Sequence, residues 1–64
     1  MSNLKRIREE RNITQIQLAE KSGVNIRMIS YYEQGFKDIN KAQGLTLRAL
    51  ANALECNIEE LLNE

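Results

Sequence analysis

Apolar residues recur along this chain at intervals of three and four positions, which is the spacing of one face of an α-helix. The segment LTLRALANAL shows the pattern most clearly, with Leu47, Leu50, Ala51 and Leu54 on one face. No stretch alternates apolar and polar residues in the way of a half-buried strand. The pattern therefore predicts an all-α fold with five helices.

Residues 14–35, TQIQLAEKSGVNIRMISYYEQG, predict two short helices joined by a tight turn. Thr14 is suited to cap the first of these helices, with Gln17 reaching back to it, and Gly23 is suited to end it. Asn25 is suited to cap the second helix, which ends at Gly35. Two helices joined in this way form a helix-turn-helix. The residues expected to face inward are Leu18, Ala19, Ile29 and Tyr32.

The flanking segments predict the other three helices. The first helix is expected to run from a cap at Ser2 or Asn3 to about Arg11. Thr46 is expected to cap the fourth helix, and Asn57 is expected to cap a short fifth one in a capping box with Glu60.

The ten residues between the helix pair and the fourth helix, FKDINKAQGL, have no helical period and predict a loop. Phe36 and Ile39 are expected to hold this loop against the core. A chain of 64 residues is expected to form one domain, 1–64, that buries only about 60% of the surface its unfolded form exposes. Association with a second copy would add stability.

Composition argues against several classes of function. The chain has no histidine and one cysteine, so we expect no internal disulfide, no metal, no other cofactor and no small-molecule ligand. Cys56 is expected to be a small hydrophobic residue. No apolar run approaches the roughly 18 residues that span a bilayer, so we expect a cytoplasmic protein without a membrane partner. The absence of a recognisable nucleophile and base predicts that it is not an enzyme.

Charge is unevenly distributed along the chain, although nine basic and nine acidic residues give no net charge. Residues 1–31 hold six basic and three acidic residues, whereas residues 32–64 hold three basic and six acidic ones. Most of the helix pair thus belongs to the basic half. Such a half is compatible with binding to phosphates, while the zero net charge is unusual for a nucleic-acid binder.

The segments LKRIREERNITQIQLAEKSGV, ISYYEQG and LRALANALECNIEELL together resemble the lambda-repressor/Cro-like family of helix-turn-helix proteins, the Xre-type bacterial and phage regulators. The resemblance covers nearly the whole chain and implies a domain that binds double-stranded DNA as a homodimer. It also implies an internal ion pair between Arg8 and Glu33, and it implies that Gln15 contacts a phosphate and braces the second helix of the pair. The positions it assigns to DNA binding are Gln15, Asn25, Ile26, Arg27, Tyr31 and Gln34, and the full set of residues expected to bind DNA adds Thr14, Ser30 and Lys37.

Helical periodicity independently supports part of this assignment. If Ile29 faces the core, then Arg27, Tyr31 and Gln34 lie on the opposite side of their helix. An outward arginine can donate two hydrogen bonds to a guanine in the major groove, and Ile26 can pack against a thymine methyl. The alternatives are that Arg27 is only a solvated surface residue and that the Tyr31 ring covers part of the core.

The fifth helix is short and has little room to bury both Leu61 and Leu62. Leu61 is a candidate for the core as well as for an interface. The expected dimer interface comprises Ile58, Leu61 and Leu62.

The chain departs from the family pattern at three places. The loop after Gly35 is longer than usual and has no proline. Glu55 stands where a glycine commonly closes the fourth helix, so that turn is expected to be strained or built differently. Ile26 and Met28 stand where polar residues are frequent, and Ile16 is expected to be half buried or to touch a partner.

Two functions follow from these observations. The first is a small transcriptional regulator, a repressor or autoregulator, that binds a two-fold symmetric operator. The second is an antitoxin-like partner or interaction module that uses the same fold to bind a protein. Its expected apolar docking patch is Ile16, Ile26, Met28 and Tyr31.

Overall fold

The computed structural model describes residues 2–63, and within this range the chain forms helices and no strand. The prediction of an all-α fold with five helices is therefore confirmed. None of the helices described is long and apolar enough to cross a membrane. The five α-helices are α1 (Asn3–Glu10), α2 (Gln15–Ser22), α3 (Ile26–Gln34), α4 (Gly44–Leu54) and α5 (Ile58–Leu61).

One cluster of buried side chains joins all five helices. Helix α2 packs against α3 and α4, while α1 packs against α3 and α5, and α5 also packs against α4. The inward face predicted for the fourth helix is confirmed, as are Leu18, Ile29 and Tyr32 in the helix pair; Ala19 is half buried against the same core. The buried residues are Leu4, Ile7, Leu18, Ile29, Tyr32, Ile39, Leu47, Leu50, Ala51, Leu54 and Leu61.

The ends of α2 and α3 have the predicted caps. Thr14 Oγ1 accepts a hydrogen bond from the Gln17 amide at 3.0 Å, and the Thr14 amide donates to Gln17 Oε1 at 2.8 Å. Asn25 Oδ1 accepts from the Arg27 amide at 2.7 Å. Both helices end in the left-handed conformation, at Gly23 with φ 75° and at Gly35 with φ 83°. Because glycine adopts this conformation without steric penalty, the C-terminal ends of α2 and α3 are set by local sequence.

The segment after α3 differs from the prediction in two respects. It contains one turn of 3-10 helix, Ile39–Lys41, which Asp38 caps by accepting a hydrogen bond from the Asn40 amide at 2.9 Å. Ile39 is buried as predicted. Phe36 is not held against the core, since 72% of its surface is exposed.

Helix α4 begins at Gly44, so the prediction that Thr46 caps it is wrong. The chain is still extended at Gln43, whose carbonyl accepts the first helical hydrogen bond from the Leu47 amide at 3.0 Å. Gln43 makes no side-chain cap, and glycine is a poor helix former. The start of α4 is thus fixed by the packing of Leu47 and not by a local signal.

Helix α4 ends in the geometry that a glycine would favour, although Glu55 occupies the position. Glu55 has φ 55° and ψ 48°, and its amide bonds to carbonyls of the last turn. Arg11, the residue after α1, donates from Nε to the Leu54 carbonyl at 2.9 Å. The turn therefore keeps the left-handed shape, with the arginine that follows the first helix bound to a terminal carbonyl of α4.

Cys56 lies next to this turn and is partly buried against the core, as a small hydrophobic residue would be. Burial raises the pKa of its thiol, and the charge of Glu60 raises it further, while Arg11 opposes them. A raised pKa lowers the thiolate fraction near neutral pH. Cys56 is therefore a poor nucleophile in the folded protein.

The short α5 has the expected cap, because the Asn57 amide donates to Glu60 Oε2 at 2.7 Å. Leu61 has 0% of its surface exposed, so its assignment to a dimer interface is wrong. A helix of one turn points Leu61 directly into the core, between α4 and α1. Ile58 and Leu62 are partly buried against that core and retain some free surface.

Candidate nucleic-acid interface

The carboxylate of Glu33 on α3 holds side chains from α1 and α2. Arg8 donates from Nε to Glu33 Oε2 at 2.8 Å and from Nη2 to Glu33 Oε1 at 3.0 Å. Gln15 donates from Nε2 to Glu33 Oε1 at 3.0 Å. The side chains of Glu33 and Arg8 are only 2% and 12% exposed, so water screens the pair weakly. This network of Arg8, Gln15 and Glu33 joins the first three helices.

Arg8 also fixes the segment between α1 and α2. Its Nη1 donates to the Ile13 carbonyl at 2.8 Å, just before the cap of α2. The hydrogen bond with Glu33 raises the pKa of Arg8, and burial opposes that effect. The guanidinium therefore remains charged, and one side chain contacts both the segment before α2 and the last turn of α3.

Gln15 makes the bracing contact that the resemblance implies. A side-chain amide has two donor hydrogens, and the contact with Glu33 uses one of them. Gln15 is half exposed at the first position of α2. Its remaining donor makes no hydrogen bond within residues 2–63.

The starts of α2 and α3 share one surface. Thr14, Gln15, Ile16 and Ile26 line a single shallow depression. A second depression, on the other side of Ile16 and Ile26, reaches Asn25. We call this surface the α2–α3 face and define it by Thr14, Gln15, Ile16, Asn25, Ile26 and Arg27.

Arg27 is exposed beside Ile26, and its guanidinium makes no hydrogen bond or ion pair within residues 2–63. Its backbone is fixed, because the Arg27 amide is bonded to Asn25. Because the backbone is fixed and the guanidinium makes no hydrogen bond, the guanidinium can donate to an external acceptor at little conformational cost to the helix. Arg27 is therefore available for recognition.

The outward side of α3 continues from Arg27 through the remaining predicted residues. Ser30 and Gln34 are joined, with Gln34 Nε2 donating to Ser30 Oγ at 2.5 Å. The Tyr31 ring meets the exposed Phe36 ring edge to face, with centroids 6.1 Å apart. This contact, which pairs two aromatic residues across the helix end at Gly35, was not predicted, because it joins α3 to a loop without helical period.

Lys37 does not lie on the α2–α3 face. It lines a separate small depression with Lys41, Met28 and Tyr32, beyond the end of α3. Met28 packs against the core, so it is not a free member of the apolar patch proposed for protein docking. The exposed part of that patch reduces to Ile16, with 62% of its surface exposed, and Ile26, with 41%.

Comparison with known proteins agrees with this geometry. A family model described as Helix-turn-helix matches residues 4–61, which is nearly the whole chain. No curated protein and no solved structure gives a significant match. The matched residues include every helix of the fold and the whole of the α2–α3 face. The chain therefore belongs to the Xre-type, lambda-repressor-like helix-turn-helix family of DNA-binding regulators.

Proposed function

We propose that this protein is a small cytoplasmic regulator of transcription, a repressor or autoregulator, that binds a specific two-fold symmetric DNA sequence as a dimer. The observation that carries the proposal is the α2–α3 face. It combines the uncommitted guanidinium of Arg27 with the starts of two helices on one surface. Such a combination provides both a base reader and phosphate-binding amides.

In the proposed complex α3 enters the major groove and α2 crosses the backbone. Arg27 donates two hydrogen bonds to the O6 and N7 atoms of a guanine. The remaining donor of Gln15, with the free amides at the start of α2, binds a phosphate. Tyr31 and Gln34 reach sugar or phosphate further along α3, and Lys37 reaches the backbone beyond it. Whether the bound protein represses or activates transcription follows from where the operator lies relative to a promoter.

The network of Arg8, Gln15 and Glu33 supports this mode of binding. It fixes the angle between α2 and α3 before DNA arrives, so little ordering is needed on binding. A phosphate bound by Gln15 is thereby linked through Glu33 to the helix that reads the bases. Backbone and base contacts then depend on the same rigid unit.

The dimer is proposed on symmetry and size. The Cα atoms of one protomer extend 23 × 21 × 20 Å, so two adjacent protomers are of a size to place their α3 helices about 34 Å apart, one turn of DNA. Ile58 and Leu62 remain as interface candidates from the predicted set. Their free surface is small, and Glu59 and Glu60 lie beside them, so DNA is expected to contribute much of the assembly energy.

The direct test is selection of binding sites from a random pool of duplex DNA. We expect one sequence to be enriched, arranged as a two-fold repeat. The Arg27→Ala variant is expected to lose about 1 to 3 kcal/mol of binding free energy and preference at one base of each half-site. The matched control is Lys5→Ala, which removes one exposed positive charge from α1. Failure to enrich any sequence would refute the proposal.

A second candidate function is binding to a protein, as an antitoxin-like partner or interaction module. It is favoured by the exposure of Ile16 and Ile26 and by the zero net charge. Salt separates the two functions, since affinity for DNA falls steeply as salt rises whereas apolar docking does not. A partner bound equally well at low and high salt would favour the second function.

A further inference from the structure

We propose that Ile16 and Ile26 form one apolar ridge that recognises thymine through its C5 methyl group. The inference rests on the proposed function and extends it, because α2 then contributes to base recognition as well as to phosphate binding. Ile16 and Ile26 each line both depressions of the α2–α3 face, and the two depressions lie on opposite sides of this pair. They therefore stand side by side, although ten positions separate them in the sequence.

The exposed surface of the ridge lies outside the core of the protomer. Ile16 is 62% exposed and Ile26 is 41% exposed, and neither belongs to the partly buried residues that pack against the core. Apolar surface that remains in water after folding contributes nothing to stability, because it is exposed in the unfolded chain as well. An occupant that covers the two side chains would gain free energy by removing that surface from water.

Continuity with the rest of the α2–α3 face indicates what that occupant is. Ile16 directly follows Gln15, at the start of α2, and Ile26 lies between Asn25 and Arg27, at the start of α3. When Arg27 reaches a guanine edge, the first turn of α3, which includes Ile26, lies at the major groove. Ile16 shares both depressions with Ile26 and therefore faces the same part of the groove.

The chemistry of the groove selects one base. The thymine methyl is the apolar group that standard bases present there, while the other edges present hydrogen-bond donors and acceptors. An isoleucine side chain cannot form a hydrogen bond with a cytosine amino group or a purine N7. Covering one of these base groups would therefore leave that group without a hydrogen-bond partner. The ridge thus favours thymine and rejects cytosine at a position beside the guanine read by Arg27.

The test replaces each thymine of the enriched site, one at a time, with deoxyuridine. This base lacks the methyl and keeps every hydrogen-bonding group. We expect the substitution to raise Kd about fourfold at one or two thymines of each half-site, because one buried methyl is lost. Placing 5-methylcytosine there should bind more tightly than cytosine. Because the contact is apolar, the ratio of Kd values should be the same at low and high salt.

The variants Ile16→Ala and Ile26→Ala assign the effect to the ridge. Both side chains are exposed, so both variants are expected to fold, and circular dichroism checks this. Each variant should bind the thymine and deoxyuridine sites with nearly equal Kd. Leu45→Ala, which shortens another exposed aliphatic side chain, should keep the wild-type preference.

Two results would overturn the inference. One is sequence-specific binding by the wild type that is indifferent to deoxyuridine at every position, which leaves the proposed function intact. The other is an unchanged DNA affinity in both isoleucine variants, which would mean that the ridge binds a protein and not DNA. Failure to enrich any DNA sequence would instead refute the proposed function together with this extension of it.

Discussion

Glu33 is the residue on which the relative placement of the first three helices depends. Its buried carboxylate accepts hydrogen bonds from Arg8 and Gln15, and Arg8 in turn binds the Ile13 carbonyl. Breaking a buried ion pair from one side is expensive because it leaves a charge without a partner. An exposed pair loses little when it is broken, since water solvates both charges. Residues 2–63 hold one pair of each kind, which allows a direct comparison.

We predict that Glu33→Ala lowers the free energy of unfolding by about 3 to 5 kcal/mol, because Arg8 is left charged and largely buried. The control is Glu10→Ala, which breaks the exposed pair of Arg6 and Glu10 and should cost about 0.5 kcal/mol. Urea unfolding measures both values. The double variant Arg8→Met/Glu33→Leu should be more stable than Glu33→Ala. Equal losses in the two alanine variants would contradict this account.

Glu55 gives a second prediction at the residue scale. It adopts the left-handed conformation that costs most side chains about 1 to 2 kcal/mol. Glu55→Gly is therefore expected to stabilise the protein by about 1 kcal/mol, after the extra chain entropy of glycine is allowed for. Asn12→Gly is the control, since Asn12 has φ 58° but asparagine tolerates this region. Thermal unfolding in which Glu55→Gly gains no more than Asn12→Gly would show that the turn is not strained.

At the scale of elements, the segment between α3 and α4 depends on a single anchor. Ile39 is buried in the core, whereas Phe36 contacts only the Tyr31 ring among the aromatic residues described and is largely exposed. We predict that Ile39→Ala lowers the free energy of unfolding by about 2 to 5 kcal/mol. Phe36→Ala should change it by less than about 1 kcal/mol, since surface substitutions have small effects. Urea unfolding that ranks the two variants in the opposite order would refute this assignment.

Elements with local signals could be predicted from the sequence. The caps at Thr14 and Asn25 and the glycines at Gly23 and Gly35 define α2 and α3, because each satisfies backbone groups within a few residues. The start of α4 could not be predicted, since Gly44 has no cap and the helix is set by packing. The burial of Ile39 was predicted, whereas the 3-10 turn that contains it was not, because three residues are too few to show a helical period.

The candidate site was predictable in its outline and less so in its details. The ion pair of Arg8 and Glu33 and the bracing by Gln15 lie where the family resemblance implies. Leu61 was expected to belong to the core or to an interface, and its complete burial decides for the core. The proximity of Ile16 to Ile26 joins residues on different helices, and only the folded structure brings them together.

For the whole molecule, one small core supports the proposed recognition surface. Because the network of Arg8, Gln15 and Glu33 ties α1, α2 and α3 together, we predict little change of the backbone on binding DNA. The polarised charge of the chain places the acidic residues Glu55, Glu59 and Glu60 around the end of α4 and on α5. A symmetric dimer on DNA must keep these carboxylates away from phosphates, which is consistent with α3 as the helix in the groove.

The most direct test of the central claim is protection of guanine N7 from dimethyl sulfate on the selected DNA site. N7 lies in the major groove, so the reagent reports the groove that α3 is proposed to occupy. We predict two protected clusters with centres about 10 base pairs apart, and loss of protection at one guanine of each half-site in Arg27→Ala. Binding without protection of any guanine, or protection unaltered by Arg27→Ala, would contradict the account.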